Sequence, residues 1–193
     1  MIGRRAPVPE TLRRQRRLGV LLLILSSLLP NSPAPAAVPT LTVTADAALR
    51  FGAFVVPSSG SRTVSASGAV INDAIFPVAS APVGPSQFTV AYDRGNQNPK
   101  AIRVTFQMVL SSVPAVTQTG VSGRLSAFDS DLPGAALLVP GRIVTYTIAN
   151  CTTRICAKSF RVGARLDVTR RSGGANLTIA LPVIATLVSV EGG

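Results

Sequence analysis

From Leu41 onward apolar and polar residues alternate with a period of two, in short runs separated by Gly, Pro, Ser or Asn. Successive side chains of an extended chain point to opposite faces, so this period marks strands buried on one side. The runs predict strands over residues 41–45, 49–56, 62–67, 87–93, 101–110, 141–149, 159–169 and 176–190. The cleanest alternation sets Phe160, Val162, Ala164, Leu166 and Val168 against Arg161, Gly163, Arg165, Asp167 and Thr169. Val104, Phe106, Met108 and Leu110 behave alike, as do Val144, Tyr146 and Ile148, and as do Phe88, Val90 and Tyr92. Between Phe51 and Phe54 the phase slips at Gly52, as it does where a bulge adds one residue to a strand. Pro182 divides the last run into two strands or kinks an edge strand, because proline cannot donate to a ladder.

No stretch after residue 36 keeps a helical period, and 15 prolines with 16 glycines would interrupt most helices. The fold expected is all-β, an antiparallel β-sandwich of immunoglobulin-like or pilin-like kind, forming one domain over residues 37–193. There is no internal repeat. Residues 111–140 are the least readable part, strand-like fragments between turn signals such as Asp129-Ser-Asp-Leu-Pro-Gly134.

The first 36 residues read differently. Six arginines and one acid precede the apolar stretch 18–29, which is followed by Pro30, Pro33, Pro35 and the small residues Ala34 and Ala36. This order is that of a signal peptide (1–36), with cleavage expected after Ala36 and Ala37 as the alternative. The apolar stretch is too short for a stable transmembrane anchor. A twin-arginine pattern is poorly met, ordinary secretion fits better, and no cysteine follows the stretch to carry a lipid. The expected location is therefore outside the cytoplasm: periplasm, cell surface or extracellular. Of 19 basic and eight acidic residues, six and one lie in this leader, so the formal charge falls from +11 to near +6 without it. Most of the apparent signal for nucleic-acid binding goes with it.

Candidate chemistry is sparse. The chain has no His, which removes the usual base near neutral pH and every Ser-His-Asp or Cys-His arrangement. Asp129 and Asp131 are the only close carboxylate pair, and without the glycine and distal glutamate of a calcium loop they read as a solvated turn. Lys158 and Ser159 are adjacent on a strand, so they face opposite ways and do not form a nucleophile and base. Ser172-Gly-Gly174 reads as a turn rather than a phosphate loop. No catalytic residue, cofactor or metal site is expected, and the protein is expected not to be an enzyme.

Cys151 and Cys156 are an even pair in a chain with an export signal, which predicts a disulfide. So short a ring is worth about 2 kcal/mol in the loop-entropy model and is expected to pin a hairpin loop. Six basic residues between Arg154 and Arg171 face only Asp167, and Arg161 and Arg165 share the outward face of one strand. Those two arginines are the candidates for contact with an anionic envelope surface, although outward charge also keeps sheets soluble and discourages edge pairing.

Four stretches stand out together: Leu49-Arg-Phe-Gly52-Ala-Phe54, Gly60 with Thr63-Val64 and Gly68, Gln87-Phe-Thr-Val90, and Val162-Gly-Ala-Arg-Leu-Asp-Val168 before Gly173 and a terminal strand. With them the chain resembles a family of exported bacterial β-rich proteins known as a domain of unknown function, number four-four-zero-two. The resemblance covers about residues 41–190 and implies a fimbrial or adhesin-like sandwich with no catalytic residues to transfer. Two readings of function follow. The first is a non-catalytic structural or adhesive surface protein, a pilin-like subunit whose partners are itself or other surface subunits, with Val38, Leu41, Val43 and Ala45 as a short donor strand. The alternative is a monomeric periplasmic ligand-binding or stabilising module using loops, for which a concave pocket of convergent polar groups is expected.

Overall fold

The computed structural model describes residues 37–78, 81–171 and 175–192, so the expected leader and the Ser172–Gly174 turn lie outside the described residues. The strands in chain order are β1 Thr40–Ala47, β2 Leu49–Val55, β3 Ser59–Val64, β4 Val70–Asp73, β5 Phe76–Pro77, β6 Val83–Gly84, β7 Ser86–Asp93 and β8 Ile102–Leu110. They continue as β9 Val116–Gln118, β10 Val121–Ser130, β11 Leu137–Leu138, β12 Ile143–Cys151, β13 Ile155–Arg170, β14 Ala175–Ile179 and β15 Val183–Glu191. Among the described residues there is no helix, and every strand pairing is antiparallel.

Each predicted run is a strand, and the pairing makes a sandwich-like arrangement within the compact unit Ala36–Gly193. The large sheet runs β1-β7-β13-β10-β11, with β3 and β4 continuing beside β13 and β9 beside β10. A second sheet runs β12-β8-β15, and a third, small one has β14-β2-β5 with β6 on β2. Strand β13 is the spine. Its first half pairs β7, while Ala164–Thr169 pair β3 along the same side and β10 lies on the other. One alternating sequence thus serves three partners, because alternation specifies a face and leaves the neighbour open.

Inward residues of all three sheets meet in the main core, with Phe51, Phe88, Phe106, Val90 and Leu166 at 0–2 % exposure, and Val104 lies in a smaller cluster at one end. The bulge expected at Gly52 is present: Gly52 has φ +67°, and β14 pairs Leu177 with Gly52 but Thr178 with Arg50. Both Phe51 and Phe54 are thereby buried. Pro182 separates β14 from β15, which lie in different sheets.

The region 111–140 holds β10, the second strand of the spine. Its period is hidden by Ala127, at φ +46°, where the register with β13 shifts between Ser126 and Asp129. The short strands β4, β5 and β6 carry no long alternating run and had no strand signal of their own.

The disulfide Cys151–Cys156 is formed, but it does not pin a hairpin. Strand β12 pairs β8 and strand β13 pairs β7, so the ring closes an arch that carries the chain from one sheet to the other. Both half-cystines are buried beside Tyr92, Ile102 and Val104 at that end of the core. Sequence proximity suggested a hairpin, but inward faces on both strands are better buried by placing them in opposite layers.

Candidate functional site

The residues singled out by sequence do not converge on one point. Arg161 and Arg165 both lie exposed on the outward face of β13, and each already faces a carboxylate. Arg161 Nε donates to Asp131 at 2.9 Å and Arg165 Nε to Asp167 at 2.7 Å. Arg154 makes a two-pronged contact with Asp93 at 2.9 and 3.0 Å. The basic stretch is therefore interleaved with acids from β7, from the turn after β10 and from β13 itself. Such exposed pairs add little stability individually, but they lower the local positive potential.

The protonation behaviour follows this pairing. The Arg154 guanidinium and the Gly95 N–H hold Asp93 below its ordinary pKa. Partial burial alone would raise Asp131, but the Arg161 N–H and guanidinium outweigh it and the net direction is down. Asp167 is lowered by the Ser126 hydroxyl first, then by Arg165 and by the charge of Arg124.

Asp129 and Asp131 make separate structural clamps, Asp131 from an exposed position in the turn after β10. Asp129 Oδ2 accepts the Ala66 N–H at 2.8 Å, tying β10 to the chain after β3. Asp131 accepts from both the backbone and the side chain of Arg161. No group of three metal-ligating side chains occurs among the described residues. Lys158 and Ser159 point to opposite faces, with Ser159 sharing a hydrogen bond with Thr89 at 2.8 Å.

Two surfaces remain. The first is the flank where β12 overlies β13. The outer side of β12 has no strand partner among the described residues, nor does the side of β13 away from β7 over residues 155–160. Val144, Tyr146 and Ile148 pair with the buried Met108, Phe106 and Val104, yet they stay half-exposed, since among the described residues no strand covers this flank. Residues 143–150 contain no charge, glycine or proline. The main guard is Lys158, which points inward and lays its ammonium 6.0 Å from the centre of the Tyr146 ring. At the opposite flank β1 lies beside β15. Of the expected donor residues, Leu41, Val43 and Ala45 pair with β7 of their own chain, and Val38 lies exposed ahead of β1.

The second surface is a groove of about 410 Å³ on the outer face of the large sheet. A row of cross-strand neighbours crosses β10, β13, β3 and β4, in which Arg124, Asp167 and Asp73 line the groove and Ser61, between the last two, is buried. A parallel row, Ser122, Thr169 and Ser59, forms its second wall. Sequence reasoning missed this groove because its members come from four separated segments.

A family model described as "Domain of unknown function (DUF4402)" matches residues 41–185, most of the described chain. No curated protein and no solved structure matches.

Proposed function

The chain belongs to the DUF4402 family of domains of unknown function, and on that premise we propose that it is an exported, non-catalytic structural or adhesive protein of the bacterial cell surface, a subunit that associates through its sheet edges. One observation carries the reading, the open flank between β12 and β13. A strand laid against β12 would extend the β12-β8-β15 sheet, satisfy a row of backbone groups and cover Val144, Tyr146 and Ile148. The disulfide supports an oxidising compartment. The absence of His and the engagement of Asp93, Asp129, Asp131 and Asp167 in clamps and ion pairs support a role without catalysis. Because β1 is already paired within its own chain, edge-to-edge association is favoured over exchange of an N-terminal strand.

The test is sedimentation of protein purified from cells expressing the full chain, over a wide concentration range. Wild type is expected to form concentration-dependent assemblies, and the double variant Thr145→Lys with Thr147→Lys, which sets charge beside the free edge, is expected to be monomeric. A wild-type chain that stays monomeric throughout would remove the basis of the reading.

A further inference from the structure

We propose that the groove on the outer face of the large sheet is a binding site for a neutral glycan, recognised through its hydroxyl groups. This rests on the groove alone and holds whether or not the chain assembles through its edges.

The lining excludes the other common ligand classes in turn. The groove carries Arg124 and Arg165 against Asp73 and Asp167, so its formal charge is balanced and a strongly anionic or cationic ligand gains no net attraction. A bound metal ion would need more free carboxylates, since Asp167 is already held by Ser126 at 2.6 Å and Arg165 at 2.7 Å. An apolar ligand finds no apolar side chain, because Val168, which reaches the groove only through its backbone, is buried and turns into the core. A peptide strand would seek the unpaired backbone of a sheet edge, whereas this is a sheet face, where only side chains are presented.

What remains is an alternation of donors, acceptors and hydroxyls at strand spacing, roughly 4.8 Å apart. Sugar hydroxyls both donate and accept, which is the pattern such a row satisfies. Arg124 is near enough to lower the Asp167 pKa yet makes no ion pair or hydrogen bond among the described residues, so a hydroxyl between them would bridge guanidinium to carboxylate. Asp73, exposed at the far end of the row, has no side-chain partner among the described residues and remains available as an acceptor. Ser59, Ser122 and Thr169 add donors that turn freely. No aromatic side chain lines the groove, so recognition is by hydrogen bonding without ring stacking. Single-site affinity is then weak and is multiplied when many copies face a glycan-coated surface.

The experiment probes an array of immobilised neutral glycans with hexose, N-acetylhexosamine and deoxyhexose termini, alongside sulfated and phosphorylated counterparts. The protein is purified from cells expressing the full chain. Binding to at least one neutral glycan is expected, falling roughly tenfold to a hundredfold in Arg124→Ala and in Asp73→Asn, as loss of a hydrogen bond to a charged group implies. Lys100→Ala, exposed in a distant loop, is expected to bind as wild type. Circular dichroism and melting temperature establish that each variant is folded, and Ser122→Ala replaces either one that is not. Failure to retain any neutral glycan, retention unchanged in the groove variants, or preference for sulfated glycans with competition by inorganic phosphate would each overturn the proposal. The Thr145→Lys, Thr147→Lys protein on the same array separates loss of edge association from loss of the glycan site.

Discussion

Arg62 is the least comfortable residue in the core, and replacing it is expected to stabilise the protein. It lies in β3 on the inward face, in a cross-strand row with Leu125, Leu166 and Asn72, and is only 4 % exposed. Its Nε and Nη1 are buried with no hydrogen-bond partner among the described residues, and burial depresses its pKa. Each buried donor left unsatisfied costs about 1–3 kcal/mol, more when the group is charged. Arg62→Met keeps most of the aliphatic stem and removes the unsatisfied donors, so a gain of about 1–3 kcal/mol is expected. For a domain of this size that corresponds to a rise of roughly 3–10 °C in melting temperature.

Arg94 supplies the contrast. It is also buried, at 7 %, but its Nη1 donates to the Lys100 carbonyl at 3.0 Å. Arg94→Met is expected to lower stability by about 1.5–3 kcal/mol, the worth of a hydrogen bond from a charged group. Scanning calorimetry and urea unfolding of the two variants beside wild type decide the matter. If Arg62→Met melts below wild type, the unpaired guanidinium is not a liability and the reasoning fails.

Three further outcomes are expected. Replacing both Cys151 and Cys156 by Ala should cost about 2 kcal/mol from the ring and more from the core they fill, read by urea unfolding, and should loosen the arch between sheets while leaving strand content intact by circular dichroism. Gly163→Ala should destabilise by about 1–3 kcal/mol or more, because a Cβ there would press on the Val64 carbonyl, the Asp129 carboxylate and the Ala66 nitrogen; unchanged unfolding would show that these strands have room to part. Asp131 and Asp167 are held below their unfolded pKa, so their stabilisation is complete above about pH 4 and is lost as pH falls through the folded values; Asp131→Asn should flatten that acid limb, and an unchanged limb would assign it to other carboxylates.

The face each residue presents was legible without coordinates. Phe160, Val162, Ala164 and Leu166 are buried and Arg161 and Arg165 are exposed, as their spacing requires, because alternation is a property of the extended backbone itself. The slip at Gly52, the break at Pro182 and the disulfide were legible for the same local reasons of φ, missing N–H and proximity. Partner choice was not. That β12 and β13 part into separate sheets, that β13 is shared among β7, β3 and β10, and that Arg62 ends among leucines depend on contacts between segments distant in the chain. The groove is the clearest case, since Arg124, Asp167 and Asp73 come together only when four strands align. A period of two tells a strand which side to bury; only packing of the whole core selects which strand lies beside it.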